Sequence, residues 1–198
     1  MFAAQLALAD TFRLVILTRR GFRDHSEQVD WEADAADIEG LLVEPSHLVG
    51  HSYGSLGCLL AAARVPAHVR SLTVIEPPVF SLLPNDPDVA RRVKRLQALF
   101  ASGGHPDNLY ADFVAAFGHR RPNRVPPQLA PAVCASAGER GPWEAAIPVD
   151  ELRRAGFPKL VVTGGWQALP KPARAVGGVV FNRVADALAE AIAADRLT

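Results

Sequence analysis

Residues 50–54 read Gly50-His51-Ser52-Tyr53-Gly54, one serine between two glycines. The pentapeptide stands where an apolar run, "SHLVGH", stops and a run of small residues, "SYGSLGCLLAAARV", begins. A strand that turns sharply into a helix holds the residue at the bend in strained φ/ψ and pushes its hydroxyl clear of the sheet edge. The helix then aims its N-terminus, with free N–H groups and a partial positive charge, at the same point. The chemistry this suits is attack of the Ser52 hydroxyl on a carbonyl carbon, with Tyr53 N–H as the expected oxyanion donor. Gly50 and Gly54 are expected to be small because strand and helix backbones nearly touch there. Gly57 and Cys58 extend the small face toward the sheet. Taken alone, five such residues describe only a glycine turn between strand and helix. Phosphate binding is a rival chemistry, but Gly50, Gly54 and Gly57 do not form G-x-G-x-x-G, and no Gly-Lys-Ser/Thr is present.

A serine hydroxyl needs a base to become a good nucleophile at neutral pH. His51 adjoins Ser52, but neighbouring side chains at such a bend point apart, and its plain role is a strand-end histidine. His25 follows the first apolar run and could approach the site. His47 and His68 lie where strands begin, at the wrong end of the sheet, and His105 and His119 fall in the middle of the chain. An acid is available in Glu76, at the end of "VRSLTVIEPP". A carboxylate at a strand tip can orient a histidine and stabilise its charged form. Glu76 can equally brace the loop that follows, and both roles stay open. Arg19-Arg20-Gly21 reads as an anion site or, more plainly, as a loop-bracing pair. Trp143 and Trp166 suit either a pocket lining or core packing.

The elements that must position these residues follow from periodicity. "FRLVILT" (12–18), "SHLVGH" (46–51), "VRSLTVIEPP" (69–78) and "FPKLVVTGGW" (157–166) read as strands, short, apolar and β-branched. "VDWEADAADIEGLL" (29–42) reads as a helix with Trp31, Ala35, Ile38 and Leu42 on one face, and 52–65 as a second helix stopped by Pro66. Strand and helix alternate, which implies right-handed crossovers and a parallel sheet. The middle changes character. Asp86 is an expected N-cap with Pro87 at the first helical position, and Gly103 and Gly104 end that helix. A shorter helix with Leu109, Phe113 and Phe117 follows, then a proline-rich stretch of weak periodicity. The expectation is a core over 1–83, a helical cap over 84–155, and a return strand with a C-terminal helix over 156–198. That last helix has Phe181, Val184, Leu188 and Ile192 facing inward.

The chain has 198 residues, 49% hydrophobic, with 21 basic and 21 acidic side chains, which suits one globular domain. Zero net charge gives no electrostatic reason to expect nucleic acid or an anionic membrane as partner. No apolar run approaches a bilayer span and no signal peptide is visible, so a cytoplasmic location is expected. Two cysteines, Cys58 and Cys134, form no disulfide framework or metal-ligand spacing.

Four stretches, "FRLVILTRRGFRDHS", "SHLVGHSYGSLGCLLAAA", "VRSLTVIEPP" and "FPKLVVTGGW", resemble the fourth to seventh strands of the α/β-hydrolase fold, with the nucleophile elbow as the most specific match. The resemblance covers about three quarters of the chain and leaves the cap unmatched. It implies a mostly parallel sheet with flanking helices and a serine hydrolase acting on a small ester-like or other acyl substrate, without metal or organic cofactor. It also implies an incomplete core. The family's third strand, with the His-Gly loop that gives a second oxyanion donor, would precede Met1. The chain would end on the helix before the eighth strand, and no histidine follows His119. The usual Asp after the seventh strand is replaced by Gly164-Gly165-Trp166-Gln167, and the resemblance offers an alternative acid position at the end of the sixth strand, where Glu76 stands and is the preferred acid. Relatives that use Asp at the elbow, the haloalkane dehalogenases and epoxide hydrolases, are set aside by Ser52. A non-catalytic binding member and an acyltransferase remain as alternatives. With the third strand missing between the fourth and fifth, either "RLVIL" pairs directly with "HLVG" or a slot of unpaired backbone remains. The expectation is that the isolated chain is marginal, aggregates, or is completed by another segment, with a homo-oligomer through exposed sheet edges as one form of association.

Overall fold

The computed structural model describes residues 2–22, 30–101, 106–116, 120–166 and 177–198. Four strands form one parallel sheet in the order β1 (Ser46–His51), β2 (Val69–Ile75), β3 (Lys159–Val162) and β4 (Asp195–Leu197). Seven α-helices accompany them among the described residues, besides short 3-10 turns: α1 (Trp31–Leu41), α2 (Gly54–Arg64), α3 (Pro87–Ala101), α4 (Pro106–Ala116), α5 (Ala130–Ala137), α6 (Val149–Arg154) and α7 (Val179–Ile192). The connection from β2 to β3 carries α3 to α6 and no strand among its described residues.

The helices form for the reasons their sequences suggest. Asp30 caps α1 by accepting from Ala33 N–H at 2.9 Å, and Trp31, Ala35, Ile38 and Leu42 are all buried. Asp86 caps α3, its Oδ1 accepting from Asp88 N–H at 2.9 Å and Val89 N–H at 3.1 Å, with Pro87 in the first turn. Phe181, Val184, Leu188 and Ile192 line the buried face of α7. That helix ends on Ala193 in the left-handed region (φ 52°), and Arg153 of α6 donates to the carbonyls of Glu190 and Ala191. Gly103, Gly104 and Phe117 lie outside the described residues. Leu109 is half-buried and Phe113 is exposed.

Two expectations need correction. Residues 13–19 form no strand, and Phe12, Val15 and Ile16 are about half exposed or more. A strand needs a hydrogen-bonded neighbour. β1 is the edge of the sheet, and among the described residues nothing pairs with its outer side. Among the described residues "RLVIL" does not pair directly with "HLVG". The second correction concerns the C-terminus. The chain does not stop on the helix α7, because β4 follows it and pairs parallel with β3 from Leu160↔Asp195 to Val162↔Leu197. The strands also end earlier than their apolar runs, β2 at Ile75 and β3 at Val162.

Candidate active site

The strand register sets up one row of residues at the C-terminal rim of the sheet. His51 faces Ile75, and Ile75 faces Val162. The ladder runs one step past each strand: Ser52 N–H donates to Ile75 O at 2.8 Å, Glu76 N–H to Val162 O at 2.8 Å, and Thr163 N–H to Leu197 O at 2.9 Å. Ser52 and Glu76 therefore leave the tips of neighbouring strands side by side. Both have left-handed backbone, φ 52° and 51°, without being glycine. Such a residue is held there by its surroundings.

The bend at Ser52 is locked from below and from ahead. Ser52 O accepts from Ser55 N–H at 2.9 Å and from Ser55 Oγ at 2.6 Å, and Tyr53 is the N-cap of α2. A Cβ on Gly50 would lie 2.7 Å from Ser55 Cα and 3.0 Å from Cys58 Sγ, so the first turn of α2 rests on the glycine backbone. Gly54 differs from the sequence expectation. Its nearest neighbour would be Arg19 Cδ at 3.8 Å, ordinary contact, because Gly54 faces the 13–22 segment and not the strand. Gly57 is needed, but against another helix: its Cβ would lie 2.7 Å from Asp34 Cβ of α1. Cys58 is buried, and burial pushes its thiol up to about 12, leaving it inert as a nucleophile.

Tyr53 is fastened by a buried ionic cluster. Arg19 Nε donates to Asp34 Oδ2 and Arg19 Nη1 to Glu139 Oε1, each at 2.6 Å, while its guanidinium lies 4.4 Å from the Tyr53 ring centroid. Burial works against the Arg19 charge, but Glu139 and Asp34 more than restore it. Burial raises both carboxyls above their ordinary range, opposed by Arg19. Burial, and after it the Glu139 charge, pushes the Tyr53 phenol well up, so it stays protonated and donates to Arg140 O at 2.9 Å. The Arg140 guanidinium lies over Trp31 at 4.4 Å. Arg20 grips Asp37 with two hydrogen bonds. Of the two readings of the arginine pair, bracing describes these contacts.

Glu76 Oε1 accepts from Gly164 N–H at 2.7 Å, which ties the β2 tip to the loop after β3. Its other oxygen, Oε2, is buried on the side of the Trp166 indole. Burial raises the Glu76 carboxyl, opposed by the Gly164 bond, the Arg196 charge and the nearby Trp166 indole. Trp166 stacks on Phe181 at 5.8 Å, and Trp143 meets Phe100 edge-on at 5.7 Å, so both tryptophans pack. Gln167 lies outside the described residues.

His51 ends β1 and is half-buried, and burial pushes its imidazole below the ordinary value. His47 Nδ1 shares a hydrogen bond of 2.7 Å with Ser71 Oγ, and His68 Nδ1 bonds Leu42 O, both near the strand starts. No described histidine is hydrogen-bonded to Ser52 or Glu76. His25, His105 and His119 lie outside the described residues. No three described His, Cys, Asp or Glu side chains cluster as metal ligands. No described helix is long and apolar enough to cross a membrane.

Sequence reasoning missed Asp34 and Glu139. A signal for Asp34 existed: it shares the helix face of Trp31, Ala35 and Ile38, and an acid on an apolar face calls for a buried cation. Glu139, 120 residues from Arg19, carries no local signal.

The chain belongs to the alpha/beta hydrolase family, whose model matches residues 1–197. Among solved structures it is similar to an alpha/beta hydrolase from Sphaerobacter thermophilus DSM 20745 (23% identity, TM-score 0.50, 87% of this chain and 68% of that one). It is also similar to a hydrolase from Oleispira antarctica (20%, 0.51, 85% and 63%). A third is the 2-hydroxy-6-oxo-6-phenylhexa-2,4-dienoate hydrolase of Rhodococcus sp. strain RHA1 (17%, 0.50, 88% and 66%). At these identities the likeness is one of fold. The chain spans 63% to 68% of the length of these structures. Among curated proteins, none matches this sequence.

Proposed function

We propose that this chain carries the nucleophile of a serine hydrolase that acts on ester-like or other acyl substrates. The observation that carries the reading is the left-handed bend of Ser52 above Gly50, at the start of α2. Ser52 Oγ attacks the carbonyl carbon and gives its proton to a base. The carbonyl electron pair moves to oxygen, where Tyr53 N–H donates to it. Collapse expels the leaving alkoxide, which takes up the proton, and water later releases the acyl group from Ser52 by the same route. Glu76 is the acid that orients and stabilises the protonated base. The base is not His47 or His68, which lie near the strand starts. Residues 84–155 form a cap over the rim and shape the substrate pocket, held to the bend by Glu139 and Arg140.

A labelled fluorophosphonate probe tests this. The expected result is covalent labelling of the folded chain that disappears in Ser52→Ala. Labelling that survives the substitution, or a folded chain that never labels, overturns it. A second reading, a non-catalytic member that binds ligand at the same rim, is favoured by one observation: no described histidine is hydrogen-bonded to Ser52. The folded but unlabelled outcome supports that reading.

A further inference from the structure

The residue after Ser52 supplies the expected oxyanion donor, and its side chain is gripped from three separate segments. Trp31 of α1 meets the Tyr53 ring at 5.9 Å, tilted by 51°. The Arg19 guanidinium lies over the same ring, 4.4 Å from its centroid. The phenol donates to Arg140 O at 2.9 Å, and the Arg140 guanidinium lies over Trp31. A ring held by its neighbours and at its tip has a locked rotamer, and the peptide N–H of Tyr53 is held with it.

Arg19 is fixed in its turn. Nε donates to Asp34 of α1 and Nη1 to Glu139, each at 2.6 Å, and the two carboxylates are only 3% and 5% exposed, so water does not loosen the grip. A guanidinium is a planar fork, and carboxylates on two of its edges set the plane that rests on Tyr53. Glu139 and Arg140 are consecutive residues of the β2–β3 connection, just after α5. Lifting that connection from the bend would release both ties at once, Glu139 from Arg19 and Arg140 O from the phenol. We propose that Arg19 is a positioning residue for the Tyr53 N–H, and that Glu139 makes its hold depend on the β2–β3 connection lying against the bend. This rests on the hydrolase reading above and adds a control to it: acylation of Ser52 is fastest while the connection is seated.

The test uses the full chain labelled with nitrogen-15 tyrosine, because Tyr53 and Tyr110 are its two tyrosines. Tyr53→Phe assigns the two amide signals by removing one. Glu139→Gln keeps the side-chain length and removes the charge, whereas Arg19→Lys keeps the charge and removes the planar fork. Both are expected to broaden the Tyr53 signal through μs–ms exchange and to leave Tyr110 unchanged. Since Arg19→Lys alters no charge, broadening in both variants is not a charge effect. Fluorophosphonate labelling per folded chain falls roughly ten-fold in each, part of the loss that removing an oxyanion donor brings. Glu139→Gln combined with Tyr53→Phe loses less than the product of the single losses, because both act through one ring. Arg20→Gln, which cuts the exposed pair with Asp37 on the same segment, changes neither readout. Variants that melt lower yet label at the native rate per folded chain, with a sharp Tyr53 signal, overturn the proposal and leave a cluster that only braces the fold. A folded native chain that never labels defeats the hydrolase reading instead. The Tyr53 signal still decides the grip, supporting it if it broadens in both variants and overturning it if it stays sharp.

Discussion

The two glycines that flank Ser52 look equivalent in sequence and are not equivalent in space. In Gly50→Ala the new Cβ would lie 2.7 Å from Ser55 Cα, 3.0 Å from Cys58 Sγ and 3.2 Å from Cys58 Cβ. Carbon atoms prefer about 3.5–4.0 Å, so the first turn of α2 must retreat by about 1 Å. The nearest atom is backbone, and no rotamer change relieves it. Overpacking of this kind costs about 1–3 kcal/mol, which in a domain of this size lowers Tm by roughly 3–10 °C. The same displacement moves Tyr53 N–H away from the point above Ser52, so fluorophosphonate labelling falls by more than the loss of folded protein explains. Cys58→Ala does not rescue it, because Ser55 Cα remains. In Gly54→Ala the nearest atom is Arg19 Cδ at 3.8 Å, and the position opens a helix. Trading glycine for alanine there stabilises by about 0.5–1 kcal/mol and leaves labelling unchanged. Thermal melts and labelling rates of the two single variants decide the matter. A neutral Gly50→Ala, or a Gly54→Ala that loses as much as Gly50→Ala, refutes the account of the bend.

Two further outcomes follow from the strained rim. Ser52→Gly relieves left-handed strain of about 1–2 kcal/mol, less the entropy glycine loses on folding, whereas Ser52→Ala keeps the strain. Ser52→Gly is therefore expected to melt about 2–4 °C above Ser52→Ala, with neither variant labelled; equal melting points contradict the strain. For Glu76 the sign follows from burial. Its folded pKa is raised, so the folded chain holds that proton more tightly than the unfolded one, and stability falls as pH rises through the folded value. Glu76→Gln should therefore melt higher relative to the native chain at pH 8 than at pH 4. A gain at pH 4 that is lost at pH 8 reverses the sign and rejects the assignment.

What sequence could and could not convey divides along local and distant causes. β1 and the bend were legible because an apolar run, two glycines and a small-residue helix are neighbours in the chain. So were the inward face of α1, the Asp86 cap and the buried stripe of α7. The 12–18 segment has the same apolar, β-branched character as β1, yet it is no strand. Propensity states which backbone a segment favours, and a strand also needs a partner that no local pattern provides. The Gly54 expectation failed for a related reason. The pentapeptide specifies a turn, but whether a residue meets strand or open space depends on the path of the 13–22 segment, far away in sequence. The cluster of Arg19, Asp34 and Glu139 spans 120 residues and becomes visible only when the β2–β3 connection closes over α1.

Four described non-glycine residues have left-handed backbone, Ser52, Glu76, Trp166 and Ala193, and the two on neighbouring strand tips carry the last step. Ala193 ends α7, where such a residue commonly stops a helix. Ser52 and Glu76 have no such excuse. Glycine would relieve each of them, and the chain has glycine on both sides of Ser52. Each strained residue costs on the order of 1 kcal/mol or more, and each is held by a ladder bond that runs one step beyond its strand. The backbone geometry alone therefore does not account for the residue types, because glycine would satisfy the same hydrogen bonds more cheaply. What serine and glutamate add is a hydroxyl and a carboxylate on adjacent strand tips. Those are the two groups that the proposed acyl chemistry uses, and the outlying backbone angles are a reason to look for it there.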